Sequence, residues 1–144
     1  MLQLDIVTAE RLVSSEEVDV VVAPGIMGEL ALLPRHAPLL TVLRPGELRV
    51  VKDGEESYIA VSGGFMEVLG NRVTILADTA ERADEIDMQR AEEALKLAQE
   101  RVSSAASDMD LQRALASVRR SQARMKVGRR RRALRTEGSG PPSV

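Results

Sequence analysis

The sequence predicts an α+β fold, an N-terminal antiparallel β-sandwich or flattened barrel followed by a C-terminal α-helical hairpin. Three observations predict it. Residues 2 to about 77 carry short apolar runs punctuated by Gly or Pro every few residues, the pattern of many short strands. After Ala83 the apolar spacing changes to the roughly 3.6-residue period of a helix. Charge is also unevenly spread: residues 1 to 110 hold ten Lys/Arg against 21 Asp/Glu, whereas Leu111 to Arg135 hold ten Lys/Arg and no acid. An acidic body with a basic arm is the organisation this implies. The expected units are a sandwich over 1–83, two helices over 84–135 and a disordered tail over 136–144, rich in Gly, Ser and Pro.

Leu4 and Ile6 alternate with polar residues in the first strand, and Glu17 to Val22 forms a second apolar run. Pro24-Gly25, Gly28, Pro34, Pro38 and Pro45-Gly46 mark turns. Asp53-Gly54 between Glu47–Lys52 and Glu55–Val61 predicts a type I′ hairpin, whose two central residues both need positive φ. Gly70-Asn71 plays the same part between Phe65–Leu69 and Arg72–Ala77. Beyond Ala83, Asp87 is placed to cap a helix whose Met88, Ala91, Leu95, Ala98 and Val102 share one face. Ser103 to Ser107 breaks it. Asp108 or Asp110 then caps a second helix with Leu111, Ala114, Leu115, Val118 and Met125 on one face. Two such helices on a short polar link form an antiparallel hairpin.

Composition narrows the function. Hydrophobic content of 44% suffices for a core, but Tyr58 and Phe65 are the only aromatics, so Val, Leu, Ile, Ala and Met must fill it. Few aromatics also argue against base stacking on single-stranded nucleic acid. With no cysteine there is neither a disulfide framework nor a thiolate metal site. No apolar stretch approaches the roughly 20 residues of a membrane span, and the acidic start MLQLDIVTAE is not a secretory signal. A soluble cytosolic chain without direct membrane insertion is expected.

Catalytic and metal constellations are not evident. His36 is the sole histidine and has no Ser, Cys or second His to work with, so it reads first as a turn residue between Pro34 and Pro38. Gly63-Gly64 lacks the surroundings of a phosphate loop and reads as a strand bend where backbones approach closely. The basic arm is more informative. Turning about 100° per residue, Arg113, Arg120, Arg124 and Arg131 align along the second helix, with Arg119, Lys126 and Arg130 in a row beside them. No acid at i, i+4 relieves their mutual repulsion, so a polyanion is the expected partner: an acidic protein surface, phosphate groups or nucleic acid.

The strand region carries the decisive motif. Gly28-Glu29-Leu30-Ala31-Leu32-Leu33-Pro34-Arg35-His36-Ala37-Pro38-Leu39-Leu40-Thr41 resembles a segment of the epsilon subunit of F-type ATP synthases. Asp5 to Glu10, Ser62 to Val68, Val73 to Ala80 and Ile86 to Ala91 resemble further blocks of that family in the same order. Ala31 and Arg35 stand where the family usually has glycine, and the end after Gly128 is unusually rich in arginine. The resemblance implies a non-catalytic rotor subunit of a proton-translocating ATP synthase, at the cytoplasmic face of the cell membrane. Its partners would be the gamma subunit, the c-subunit ring and the alpha/beta hexamer. The sandwich would fasten to gamma and the c ring, with Glu29 and His36 facing the ring, and the extended helices would inhibit ATP hydrolysis. Arg113, Arg120, Arg124 and Arg131 would then meet an acidic segment of beta. No cofactor is required, but the resemblance implies a regulatory ATP held by Glu81, Ile86, Asp87, Arg90, Ala91, Arg120 and Arg124. The rival readings are a free-standing ATP sensor and a small nucleic-acid-binding protein, the latter disfavoured by a pI near 5.5.

Overall fold

The computed structural model describes the backbone of residues 1–138 and the side chains of residues 1–130. Among the described residues ten strands precede two helices: β1 Leu2–Val7, β2 Leu12–Val18, β3 Val20–Gly25, β4 Gly28–Leu32, β5 Leu39–Leu43, β6 Gly46–Lys52, β7 Glu55–Val61, β8 Gly64–Leu69, β9 Arg72–Ala77, β10 Ala80–Arg82, α1 Met88–Ser103 and α2 Asp108–Gly138. A single 3-10 turn, Ala83–Glu85, separates sheet from helix.

The strands join in the order β10-β7-β6-β3-β5-β8-β9-β1-β2, with β4 paired to β3 off this path. The two ends of that path are tied by side chains: Arg82 donates to the Val13 carbonyl at 3.4 Å, and Arg11 pairs with Glu85 at 3.8 Å. The result is a flattened, nearly closed barrel. Alternation decides its inside. Leu2, Leu4 and Ile6 of β1, Leu48 and Val50 of β6, Met66 and Val68 of β8 and Val73 and Ile75 of β9 all enter one aliphatic core. Neither Tyr58 nor Phe65 belongs to it, so aliphatic side chains alone fill the barrel.

Several features depart from the sequence reading. The β1–β9 pair is parallel, Leu4 facing Val73 and Ile6 facing Ile75, whereas every other strand pair among the described residues is antiparallel. The run Glu17 to Val22 breaks at Asp19, which ends β2 and turns the chain into β3. Its amide donates to the Val51 carbonyl and its carboxylate accepts from the Asp53 amide at 2.9 Å, tying the bend to the β6–β7 hairpin. Pro24-Gly25 is no turn, because both residues pair with β4 and Ile26-Met27 makes the reversal. Pro24 lacks an amide hydrogen, yet its carbonyl still accepts from Arg44 at 3.0 Å.

The hairpin turns follow their residues. Asp53 and Gly54 both have positive φ, 52° and 79°, as a type I′ turn requires. At Gly70-Asn71 only Gly70 is positive, the pattern of type II′. Gly64 is required by space, since a Cβ there would fall 2.0 Å from the Leu76 carbonyl oxygen of β9. In α2 the cap is Ser107, one residue earlier than expected, its hydroxyl accepting from the Asp110 amide at 3.1 Å. Asp108 and Asp110 sit in the first turn instead, where the helix dipole favours carboxylates. Thr136 to Gly138, expected to begin the disordered tail, continue α2, and the remainder of that tail lies outside the described residues.

Arg35 adopts a left-handed φ of 68° in the β4–β5 loop, and its amide donates to the Asn71 side chain at 2.9 Å. An arginine there carries a backbone cost that glycine would not. Arg35→Gly should therefore raise stability by about 0.5–1 kcal/mol, somewhat offset by greater freedom of the unfolded chain, read as a higher urea midpoint with unchanged slope.

Candidate functional site

α2 lies along β6 and β7, and α1 packs on α2. Small residues make this close stacking possible. Ala91 and Ala98 of α1 and Ala114 and Ala123 of α2 are all buried. A second apolar cluster, separate from the barrel core, joins Tyr58 and Ala60 of β7 to Ile86, Ala91, Met125 and Val127. Gly128 is part of the fit, because a Cβ on it would lie 2.1 Å from the Met88 sulfur and 3.3 Å from Ile86 Cγ2.

Charge fastens the same face. Arg124 grips Glu81 of β10 with two hydrogen bonds, Nε to Oε1 at 2.6 Å and Nη2 to Oε2 at 3.3 Å. Arg130 grips Glu47 of β6 likewise, at 3.1 and 3.2 Å, while Lys126 Nζ stands 3.9 Å from the same carboxylate. The Arg130 guanidinium also lies 4.8 Å from the centre of the Tyr58 ring, a cation–π contact. The Tyr58 hydroxyl donates to Glu56, which in turn accepts from Arg49 at 3.0 Å. That phenol hydrogen bond pulls the Glu56 carboxyl below its ordinary value and, with burial, pushes the Tyr58 phenol up. Glu47 hydrogen bonding, then its charge, holds the Arg130 guanidinium above its already high value.

The basic residues therefore do not all await an outside partner. Arg124, Lys126 and Arg130 pair within the chain, whereas no carboxylate among the described residues pairs with Arg113 or Arg120. Arg113 instead approaches the Met109 sulfur at 3.5 Å, and Arg120 donates to Ser117 at 2.8 Å. The side chain of Arg131 lies outside the described residues.

Between the helices and β10 lies a cleft of about 360 Å³. Glu81, Arg120 and Arg124 line it, together with Arg101, Ser117 and Ser121. Ile86, Asp87, Arg90 and Ala91 do not. Asp87 caps α1, accepting from the Arg90 amide at 3.2 Å and pairing with its guanidinium at 3.5 Å. Ile86 and Ala91 are buried in the second apolar cluster. The seven residues thus divide into a cleft group and a helix-start group. Arg101 was missed in the sequence. Its signal was helical spacing: it lies four residues after Leu97 and seven after Ala94, both of which line the cleft. Glu29 is exposed on β4 and lines a larger hollow of about 780 Å³ with Arg119 and Lys126. His36 is half-buried in the next loop, its Nδ1 2.7 Å from the Ala37 carbonyl oxygen.

Another surface stands out on the barrel. Val42, Phe65, Leu76 and Leu12 are 41–59% exposed, and the pairings Val42–Phe65, Phe65–Leu76, Leu76–Val7 and Val7–Leu12 place them in one row across β5, β8, β9, β1 and β2. A contiguous apolar row on an open sheet face marks an interaction surface. Among the described residues no helix is long and apolar enough to cross a membrane.

Known proteins match this arrangement over nearly its whole length. The beta-sandwich domain model of the ATP synthase delta/epsilon chain matches residues 1–83, and its long alpha-helix domain model matches residues 84–128. An ATP synthase epsilon chain of Herpetosiphon aurantiacus is 59% identical over 131 residues, covering 91% of this chain and 96% of that one. One from Dehalococcoides mccartyi is 55% identical over 132 residues, with coverage of 91% and 94%. In fold alone, a chain in the Euglena gracilis mitochondrial ATP synthase OSCP/F1/c-ring structure is similar at a TM-score of 0.75 and 22% identity, covering 85% of this chain and 78% of that one. None of these matches favours a nucleic-acid-binding protein or a free-standing sensor. With both domain models matched in order and relatives above half identity along most of its length, the chain belongs to the delta/epsilon family of ATP synthase subunits.

Proposed function

We propose that this chain is the epsilon-type subunit of the central stalk of a proton-translocating F-type ATP synthase. It performs no chemistry itself. The barrel fastens to the gamma subunit and the c ring at the cytoplasmic face of the cell membrane, and the two-helix arm over 84–135 restrains ATP hydrolysis when it extends toward the alpha/beta hexamer. The observation that carries this reading is the division of labour between two faces. The Val42–Phe65–Leu76 row is apolar and uncovered, suited to a permanent protein seat, while the β6–β7 face is covered by a helix held through ion pairs. Glu29 and His36 face the c ring in this reading, and Arg113, Arg120, Arg124 and Arg131 meet an acidic segment of beta.

Two substitutions separate the parts. Phe65→Glu puts a charge in the apolar row at an exposed position, so the barrel should fold while copurification with gamma falls at least about tenfold. Deleting the residues after Ala83 should preserve that copurification and raise ATP hydrolysis by the assembled enzyme. Unchanged hydrolysis would count against an inhibitory arm.

The cleft between α1, α2 and β10 supports a second element of the reading, a regulatory ATP that holds the arm folded. Its volume suits a nucleotide, and Arg101 and Arg120 line it without acidic partners among the described residues. A ligand that binds only the folded state stabilises it in proportion to ln(1 + [L]/Kd), so millimolar ATP should raise the melting temperature of the isolated chain. Arg120→Ala should abolish that rise and Arg101→Ala should reduce it. Absence of a shift in the wild type leaves Asp87 and Arg90 as a helix cap alone.

A further inference from the structure

We propose that Glu47 seats the Lys126–Arg130 stretch of α2 on the barrel, beside the Arg124–Glu81 pair, so that Lys126 and Arg130 are anchors an outside acidic partner must first take from it. The proposal rests on the reading of the helices as an arm able to leave the barrel.

The Glu47 side chain is 10% exposed, whereas those of Arg130 and Lys126 are 45% and 58% exposed. The pair is therefore asymmetric. While α2 is seated, the carboxylate has given up most of its water and relies on the two cations, which keep much of theirs. Two further acids, Glu29 and Glu56, line the same polar hollow of about 310 Å³, together with Arg49, Tyr58, Lys126 and Arg130. Of these acids Glu56 is engaged by Arg49 and Tyr58, which leaves Glu47 as the one that holds α2 by direct contact. Arg130 is also the point where the ionic contact and the apolar seat meet, because its guanidinium covers the Tyr58 ring that α2 buries.

This arrangement ranks the substitutions. Removing Arg130 leaves a desolvated carboxylate with only Lys126 at 3.9 Å, so Arg130→Gln should unseat α2 strongly. Removing the charge of Glu47 leaves two cations that water still reaches, so Glu47→Gln should act more mildly. Once Glu47 is neutral, Arg130→Gln should do much less than it does alone, keeping only the loss of the Tyr58 contact, the coupling expected of a direct pair. Gly128 offers an independent handle. Gly128→Leu crowds Met88 and Ile86 without altering charge, and should unseat the helix by contact alone.

Tyr58 reports the result. It is the only tyrosine, the chain has no tryptophan, and it is 8% exposed beneath α2. Acrylamide quenching of tyrosine emission in the full isolated chain therefore reads the seated fraction. The quenching constant should rise at least about twofold in Glu47→Gln, more in Arg130→Gln, and to a similar degree in Gly128→Leu. In the wild type it should rise with KCl from about 0.05 to 1 M, and that rise should shrink at least about twofold in Glu47→Gln, the remainder belonging to the Arg124–Glu81 pair. A wild-type constant indifferent to salt, or a folded Glu47→Gln chain with Tyr58 fully protected, overturns the role of Glu47. The assembled enzyme tests the underlying reading separately. With Glu47→Gln its hydrolysis should be more strongly inhibited. Exposed Tyr58 with unchanged hydrolysis keeps Glu47 as the seat and counts instead against the inhibitory arm.

Discussion

Everything beyond the barrel depends on how closely α2 approaches β6 and β7. The contact is narrow, and small side chains make it. Ala60 on the sheet, Ala91 and Ala98 on α1, and Ala114, Ala123 and Gly128 on α2 let backbones come near, while Tyr58, Ile86, Met125 and Val127 fill what remains. A chain with two aromatics has little else to use. The barrel needs no help from this contact, because its own core runs through every long strand and excludes both aromatics. The molecule therefore combines a self-sufficient body with an attachment that is specific in shape but modest in apolar area. Such an attachment can be lost without unfolding the body.

Electrostatics has the same two-part character. Within α2 the cations repel one another, which leaves the helix dependent on acids elsewhere. The barrel supplies them at Glu47 and Glu81, one on each side of the helix–sheet contact. Each contact is partly open to water, so each contributes on the order of 1 kcal/mol rather than the much larger value of an enclosed pair. Together they give the folded arm a direction and a register. Arg113 and Arg120, nearer the hairpin tip, have no such acid among the described residues and stay available to other anions.

Much of this was legible in the residues. The strands from Glu55 onward follow from Asp53-Gly54 and Gly70-Asn71, whose conformational demands leave few alternatives. The helix faces follow from apolar spacing, as the burial of Ala91, Ala98, Ala114 and Met125 shows. What could not be read was long-range pairing. Nothing local says that β1 lies beside β9, or that Pro24-Gly25 continues a strand, because these depend on partners many residues away. The site shows the same limit. The basic row on α2 was plain, but its use within the chain needed the positions of Glu47 and Glu81. Asp87 and Arg90, grouped with Arg120 and Arg124 by resemblance, lie at the start of α1 outside the lining of the cleft, and Arg101 enters the cleft from a position where only the helix register points.

The parallel β1–β9 pair has a consequence for how the molecule is made. The Asp5–Arg72 ion pair across it spans 67 residues, and β1 lies between β9 and β2 in the strand order. β1 can pair early with β2 as a hairpin, but its other edge stays open until β9 has been synthesised. Closure of the barrel is thus set by a late, non-local contact, which makes it a slow step for a body this size. Once β9 and β10 are in place the body can finish folding before the arginine-rich helix emerges. Glu47 and Glu81 are then already fixed when the cations arrive, so the arm's first encounter is with its own barrel.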